Sequence, residues 1–166
     1  HLDFQAAADR SFEKIHHPGT FNANPLSAAA GAKTLQIIAS TDATDRAAAF
    51  GARLRPRLNQ VFADRGLAWA AYGEKASFFV FMNAKGQAVD PLNFDPLAIP
   101  YQEIKAKPPG LMNKLRLALL IGGVDISGSG GGVISATHDD EDLERTVTAF
   151  DQAVAILMAE EGLPLI

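Results

Sequence analysis

The run His16-His17-Pro18-Gly19-Thr20-Phe21-Asn22-Ala23-Asn24-Pro25, followed at once by Leu26-Ser27-Ala28-Ala29-Ala30-Gly31, constrains this chain more than any other stretch. It reads as a loop that ends in a helix start. Pro18-Gly19 is a turn signal, because proline fixes one φ and glycine permits a positive one. Asn24 suits the N-cap, and Pro25 suits the first helical position, where its missing N–H is not needed. Between turn and cap lie an approachable backbone N–H at Gly19, a hydroxyl at Thr20 and an amide at Asn22. Together they form a cradle for an anion such as phosphate. The bland alternative is a capped surface helix behind a solvated turn.

The same residues carry a family resemblance. Gly19-Thr20-Phe21-Asn22-Ala23-Asn24-Pro25-Leu26-Ser27-Ala28-Ala29-Ala30-Gly31 resembles a motif of the class III aminotransferases, pyridoxal-phosphate (PLP) enzymes of fold type I. The nearest subfamily is the glutamate-1-semialdehyde aminotransferases (aminomutases). The resemblance runs from about His1 to the C-terminus. It implies that Gly19 and Thr20 bind the PLP phosphate belonging to the other subunit of a homodimer. It also implies that the Schiff-base lysine and the aspartate on the pyridine nitrogen lie upstream of the loop. The chain would then be the C-terminal portion of a longer transaminase and inactive by itself. Lys14, Lys33, Lys75, Lys85, Lys105, Lys107 and Lys114 all stand in other contexts, so no catalytic residue is assigned. Asn22 and Asn24 read as loop and cap residues rather than ligands. Enzymes acting on the semialdehyde typically carry an acidic residue in the loop that aligns with Ser127 to Gly132. Here the loop holds only serine and glycine, which leaves room for a bulkier amino donor or acceptor.

Composition narrows the alternatives. A length of 166 residues suffices for a domain with a sizeable core. A net charge of -4 gives no general attraction to nucleic acid or anionic membranes. No apolar run is long enough to span a bilayer, and the expected compartment is the cytoplasm. The absence of cysteine rules out disulfides and thiolate chemistry within the chain. His16-His17 could suggest a metal pair, but adjacent side chains on extended backbone point apart, so no metal site is expected. The acids Asp90, Asp95 and Glu103 match no ligand spacing and read as surface residues.

Further along, the apolar spacing predicts a short helix over Phe4 to Arg10 and another from Pro25 to near Ala39. Cap chemistry at Ser40-Thr41-Asp42 starts a third, with a stripe at Ala47, Phe50, Leu54, Leu58 and Val61 that Gly66 stops. Pro56 should kink that helix or mark a junction. Arg46, Arg53, Arg55, Arg57 and Arg65 read as a solvated basic face, with an anion-binding face as the alternative. Strands are expected over Leu67 to Tyr72 and Ser77 to Met82, joined by a hairpin-like turn at Gly73-Glu74-Lys75. The proline-rich stretch from Ala84 to Gly110 is a long connection, and the resemblance places it near the substrate entrance. A helix is expected over Leu111 to Ile121, and the resemblance implies short strands after it at Val124 to Ile126 and Val133 to Ser135. Ser127-Gly128-Ser129-Gly130-Gly131-Gly132 lacks nucleotide-motif spacing and reads as a flexible loop. Thr137 to Asp142 opens the last helix, so His138 reads as part of a helix start rather than a base. That helix carries the stripe Leu143, Val147, Phe150, Val154 and Leu157, and Gly162 and Pro164 end it.

The expected class is α/β, with an α+β small domain. A long helical connector leads into a small antiparallel or mixed sheet covered by helices on one face, as in the C-terminal part of a fold-type-I PLP transferase. The expected division is residues 1–24 as the end of a large domain with the phosphate cradle, 25–65 as connecting helices, and 66–166 as the C-terminal small domain. The expected activity is transfer of an amino group between small-molecule donor and acceptor. The alternative is a non-catalytic α/β module for dimerisation or interaction.

Overall fold

The computed structural model describes Gly19, Thr20, Asn22, residues 24–161 and Leu163. The expected helix over Phe4 to Arg10, the His16-His17 pair, and Gly162 and Pro164 lie outside the described residues. The chain divides into two compact units, 1–41 and 42–166.

The first unit contains α1 (Pro25–Ser40). The Asn24 side chain caps it, accepting from the N–H groups of Leu26 at 3.0 Å and Ser27 at 3.1 Å. The helix buries none of its residues, and Leu26 and Leu35 are 81% and 67% exposed.

In the second unit, α2 (Ala43–Asp64) buries Ala47, Phe50, Gly51, Leu54, Leu58, Val61 and Phe62 along one stripe. Pro56 does not interrupt it; the helix runs on, and only the Ala52 carbonyl loses its usual donor. Its end is a Schellman turn. Gly66 takes φ +62° and donates to the Ala63 carbonyl, and Leu67 N–H donates to that of Phe62.

β1 (Ala70–Tyr72), β2 (Ser77–Phe81) and β3 (Gly131–Val133) form one antiparallel sheet in the order β1-β2-β3. Ala71 opposes Val80, and Phe79 opposes both Tyr72 and Gly131. The first strand is shorter than expected, because Leu67 to Trp69 is tied down by other bonds; the buried Asn83 amide donates to the Ala68 carbonyl. At the outer edge of β1, Asn59 stands in for a fourth strand. Its side chain accepts from Ala71 N–H at 2.6 Å and donates to Ala71 C=O at 3.1 Å.

Two expectations near the third strand are corrected. Val124 to Ile126 is not a strand, because its backbone is already engaged: Val124 N–H donates to Leu119 C=O, and Arg116 donates to Ile126 C=O. The glycine run is not simply a flexible loop either. Gly131 and Gly132 are strand residues, so β3 lies two positions before the expected Val133 start. The cause is close approach, since a Cβ at Gly131 would lie 2.0 Å from the Phe78 carbonyl oxygen.

The sheet is covered on both faces. Trp69, Ala71, Phe78 and Val80 pack against α2, α4 (Pro109–Ile121) and α5 (Asp140–Glu161). Phe150 of α5 meets Phe62 and Phe78 edge to face, with ring centroids 6.4 and 6.3 Å apart. The opposite face, with Ala70 and Phe81, is covered by the proline-rich segment through Val89, Phe94, Ile99 and Ile104. That segment is two 3-10 turns, Pro91–Asn93 and Pro96–Ala98, and the short helix α3 (Tyr101–Ile104). Asp90 and Asp95 cap the two turns, accepting from the N–H groups of Leu92 and Leu97. Asp139 caps α5 in the same way, bonding the N–H groups of Glu141 and Asp142.

Gly131 and Gly128 therefore differ sharply in what they tolerate. Gly131→Ala should destabilise the fold by about 3 kcal/mol, because the new methyl meets backbone that cannot yield. Gly128→Ala, where an added Cβ meets nothing within 4 Å, should stay within about 0.5 kcal/mol of wild type. Urea unfolding of the two variants checks this; equal losses would contradict it.

Candidate functional site

Gly19 and Thr20 form the start of a tight turn closed by Asn22 N–H donating to Gly19 C=O at 3.2 Å. Both residues are exposed. Neither uses its backbone N–H within the described residues, so two donors and a hydroxyl lie on exposed residues of one turn. A Cβ at position 19 would lie 2.4 to 2.9 Å from the Asn22 side-chain atoms, so a larger residue there would push that side chain aside. Asn24 already occupies the first N–H groups of α1. An anion here would therefore be held by the loop rather than by the helix terminus. This is a donor set that fits a phosphate.

The arginine face is largely exposed, as expected of a solvated face, but its cations are paired. Arg53, Arg57 and Arg65 form a ladder of ion pairs from α2 to α5, reaching Asp140 at 2.8 Å, Glu144 at 2.8 Å and Asp151 at 2.6 Å. The Arg57 pair is bidentate. The hydrogen bonds from Arg57 and Arg65 hold the Glu144 and Asp151 carboxyls below their ordinary range. Arg46 pairs with Asp42 on its own helix. Arg55 donates to the carbonyls of Lys75 and Ser77 and so clamps the β1–β2 turn to α2. These cations stitch the fold together and are not held ready for a ligand.

The other candidates also take structural posts. Glu103 pairs with Lys85 at 2.6 Å. His138 accepts from Ser135 N–H at 3.2 Å and packs its ring on Phe50. It lines a cavity of about 200 Å³ with Phe50, Phe78, Ile134 and Arg145.

The Ser127–Gly130 turn is tightly built. Gly130 N–H donates to Ser127 C=O, Ser127 N–H donates to Gly131 C=O, and the two serine hydroxyls bond each other at 2.5 Å. Gly130 takes φ +79°. Beside it stands a residue that sequence reasoning left without a role. The Lys107 ammonium donates to Val80 C=O at 2.5 Å, and burial pushes its pKa down to about 8. Glu103, four residues earlier, is at helical pairing distance in the sequence. α3 ends at Ile104, however, and Glu103 turns to Lys85 instead.

No protein-family profile matches the chain. Two curated relatives, glutamate-1-semialdehyde 2,1-aminomutases from Methanopyrus kandleri and Syntrophomonas wolfei, are 28% identical over 143 residues and 29% identical over 150. The alignments cover 85% and 89% of this chain, which spans about a third of either relative (31% and 32%). Among solved structures, a transaminase with PLP bound superposes with a TM-score of 0.66 at 25% identity, covering 88% of this chain and 30% of that one. The chain thus has the fold of the C-terminal part of the fold-type-I PLP transaminases.

Lys107 makes stability depend on pH with a definite sign. Its folded pKa of about 8 lies below the ordinary 10.5, so between those values the unfolded chain binds more protons than the folded one. The cost of burying the charge is full below pH 8 and is relieved as pH rises towards 10.5. Unfolding free energy of wild type relative to Lys107→Met should therefore increase across that window. A difference that stays flat in parallel denaturant titrations would contradict the assignment.

Proposed function

We propose that this chain is the C-terminal segment of a cytoplasmic, class III PLP-dependent aminotransferase or aminomutase, similar to the glutamate-1-semialdehyde enzymes. In this reading residues 1–24 close a large domain, 25–65 connect and 66–166 form the small domain, the second half of the connector, α2, packing into the same compact unit as that domain. Gly19 N–H and the Thr20 hydroxyl hold the phosphate of the cofactor bound by the neighbouring protomer of a homodimer. The observation that carries the proposal is the exposed turn whose backbone donors and hydroxyl have no partner among the described residues. The similarity to named aminomutases and to a PLP-bound transaminase supports it.

PLP, when bound, supplies an aldehyde that condenses with amines and a ring that withdraws electrons from the adjacent carbon. This chain's share of the work is binding and shaping. Gly19 lets the backbone approach the phosphate, and Thr20 adds an oriented hydroxyl. The Ser127–Gly130 turn, lacking any acid, borders the space for the substrate and leaves it roomy. That favours an amino donor or acceptor bulkier than a semialdehyde. The residue that binds the cofactor covalently lies outside this chain in this reading.

In the full-length protein, Thr20→Ala should weaken PLP binding about tenfold, the effect of losing one hydrogen bond to a charged group. Thr20→Ser should restore it. Titration followed by cofactor absorbance reads both. Wild-type affinity in the alanine variant would remove the cradle from the account, and absence of PLP binding by the wild type would remove the proposal.

A further inference from the structure

β3 is too short to satisfy β2. The last register pair at this end is Phe79 with Gly131. One residue further on, Val80 presents both its N–H and its C=O to the side where a longer β3 would continue. The N–H finds Gly130 C=O at 2.8 Å. The carbonyl has no strand donor to meet, because Gly130 N–H has turned back to Ser127. Lys107 supplies the missing donor from the proline-rich segment, at 2.5 Å.

The stem of Lys107 also defines the neighbouring turn. A Cβ on Gly130 would lie 3.3 Å from Lys107 Cε and 3.2 Å from Met112 Sδ. The lysine thus fills the space that a side chain at position 130 would need. Its ammonium has no carboxylate partner among the described residues, and neither has that of Lys105, which bonds the Tyr101 hydroxyl. Lys85 has Glu103 and Lys114 has Glu160, whereas Lys107 bonds only a neutral carbonyl among the described residues. A surface lysine would gain nothing by leaving water for such a partner. Its placement makes sense as a plug in the sheet edge.

We infer that Lys107 is a positioning residue: by completing the hydrogen bonding of Val80 it fixes the Ser127–Gly130 turn against β2, and so sets the wall of the substrate site. The last step rests on the proposed function, in which that turn borders the substrate. The anchoring itself rests on the geometry alone.

The test uses the full-length protein as wild type, Lys107→Met and Lys107→Arg, with Lys107→Gln as a second loss variant should the methionine fail to fold. Hydrogen exchange at Val80 N–H reports the bond to Gly130 directly. It should quicken about tenfold in the methionine variant and return towards wild type in the arginine variant, whose guanidinium can reach the same carbonyl. Transaminase kinetics should show KM for the amino donor raised about tenfold with kcat held within about twofold, the sign of a displaced binding wall rather than a damaged reaction. Unchanged exchange at Val80 would overturn the anchoring. Quickened exchange with unchanged KM would overturn the link to substrate. A wild type without transaminase activity would instead overturn the proposed function, and the exchange measurement would still decide the anchoring.

Discussion

The ring of Phe150 is the contact on which the second unit depends. It meets Phe62 on one helix and Phe78 on the central strand, both edge to face, so a single side chain joins α5 to α2 and to the sheet. Phe150, Phe62 and Trp69 are fully buried around it. A cluster of this size supplies several kcal/mol from burial alone. The ion-pair ladder between α2 and α5 runs along the outside of the same contact. Exposed pairs of that kind contribute little each, so their role is to fix the register of two helices that the aromatic core already holds together.

With Phe78 fixed by that core, the third strand has to come to it. Gly131 permits the approach because it brings no Cβ to the Phe78 carbonyl. The chain then turns back through Gly130, and the shortness of β3 leaves Val80 to be satisfied from elsewhere. In this way a packing decision in the interior sets the position of a surface turn. The proline-rich segment takes part through Lys107 on one side and through its cover over Phe81 on the other. What looked like a long connection is a second layer of the sheet, its turns held by Asp90 and Asp95 caps.

Much of this was legible in the sequence where periodicity was strong. The stripes of α2 and α5, the cap at Asn24 and the stop at Gly66 follow from local chemistry, and each stands where it was expected. The errors arose where long-range partners decide. Val124 to Ile126 has strand composition, but Arg116 and the end of α4 take its backbone. Glycines 131 and 132 have loop composition, but Phe78 and Phe79 recruit them into pairing. The basic residues of α2 gave no hint of their partners, because Asp140, Glu144 and Asp151 lie far along the chain. Lys107 was hidden for the same reason: its acceptor is a backbone carbonyl, which leaves no mark in a sequence.

The functional account turns on the two exposed donors before α1. Asn22 closes the turn and Asn24 closes the helix, which leaves the exposed Gly19 and Thr20 with their backbone donors unspent among the described residues. A crystal structure of the full-length protein with PLP is the most direct measurement. The account predicts cofactor phosphate oxygens within hydrogen-bonding distance of Gly19 N and Thr20 Oγ1 contributed by the opposite protomer. A phosphate held wholly by one protomer, with that turn facing bulk solvent, would contradict it.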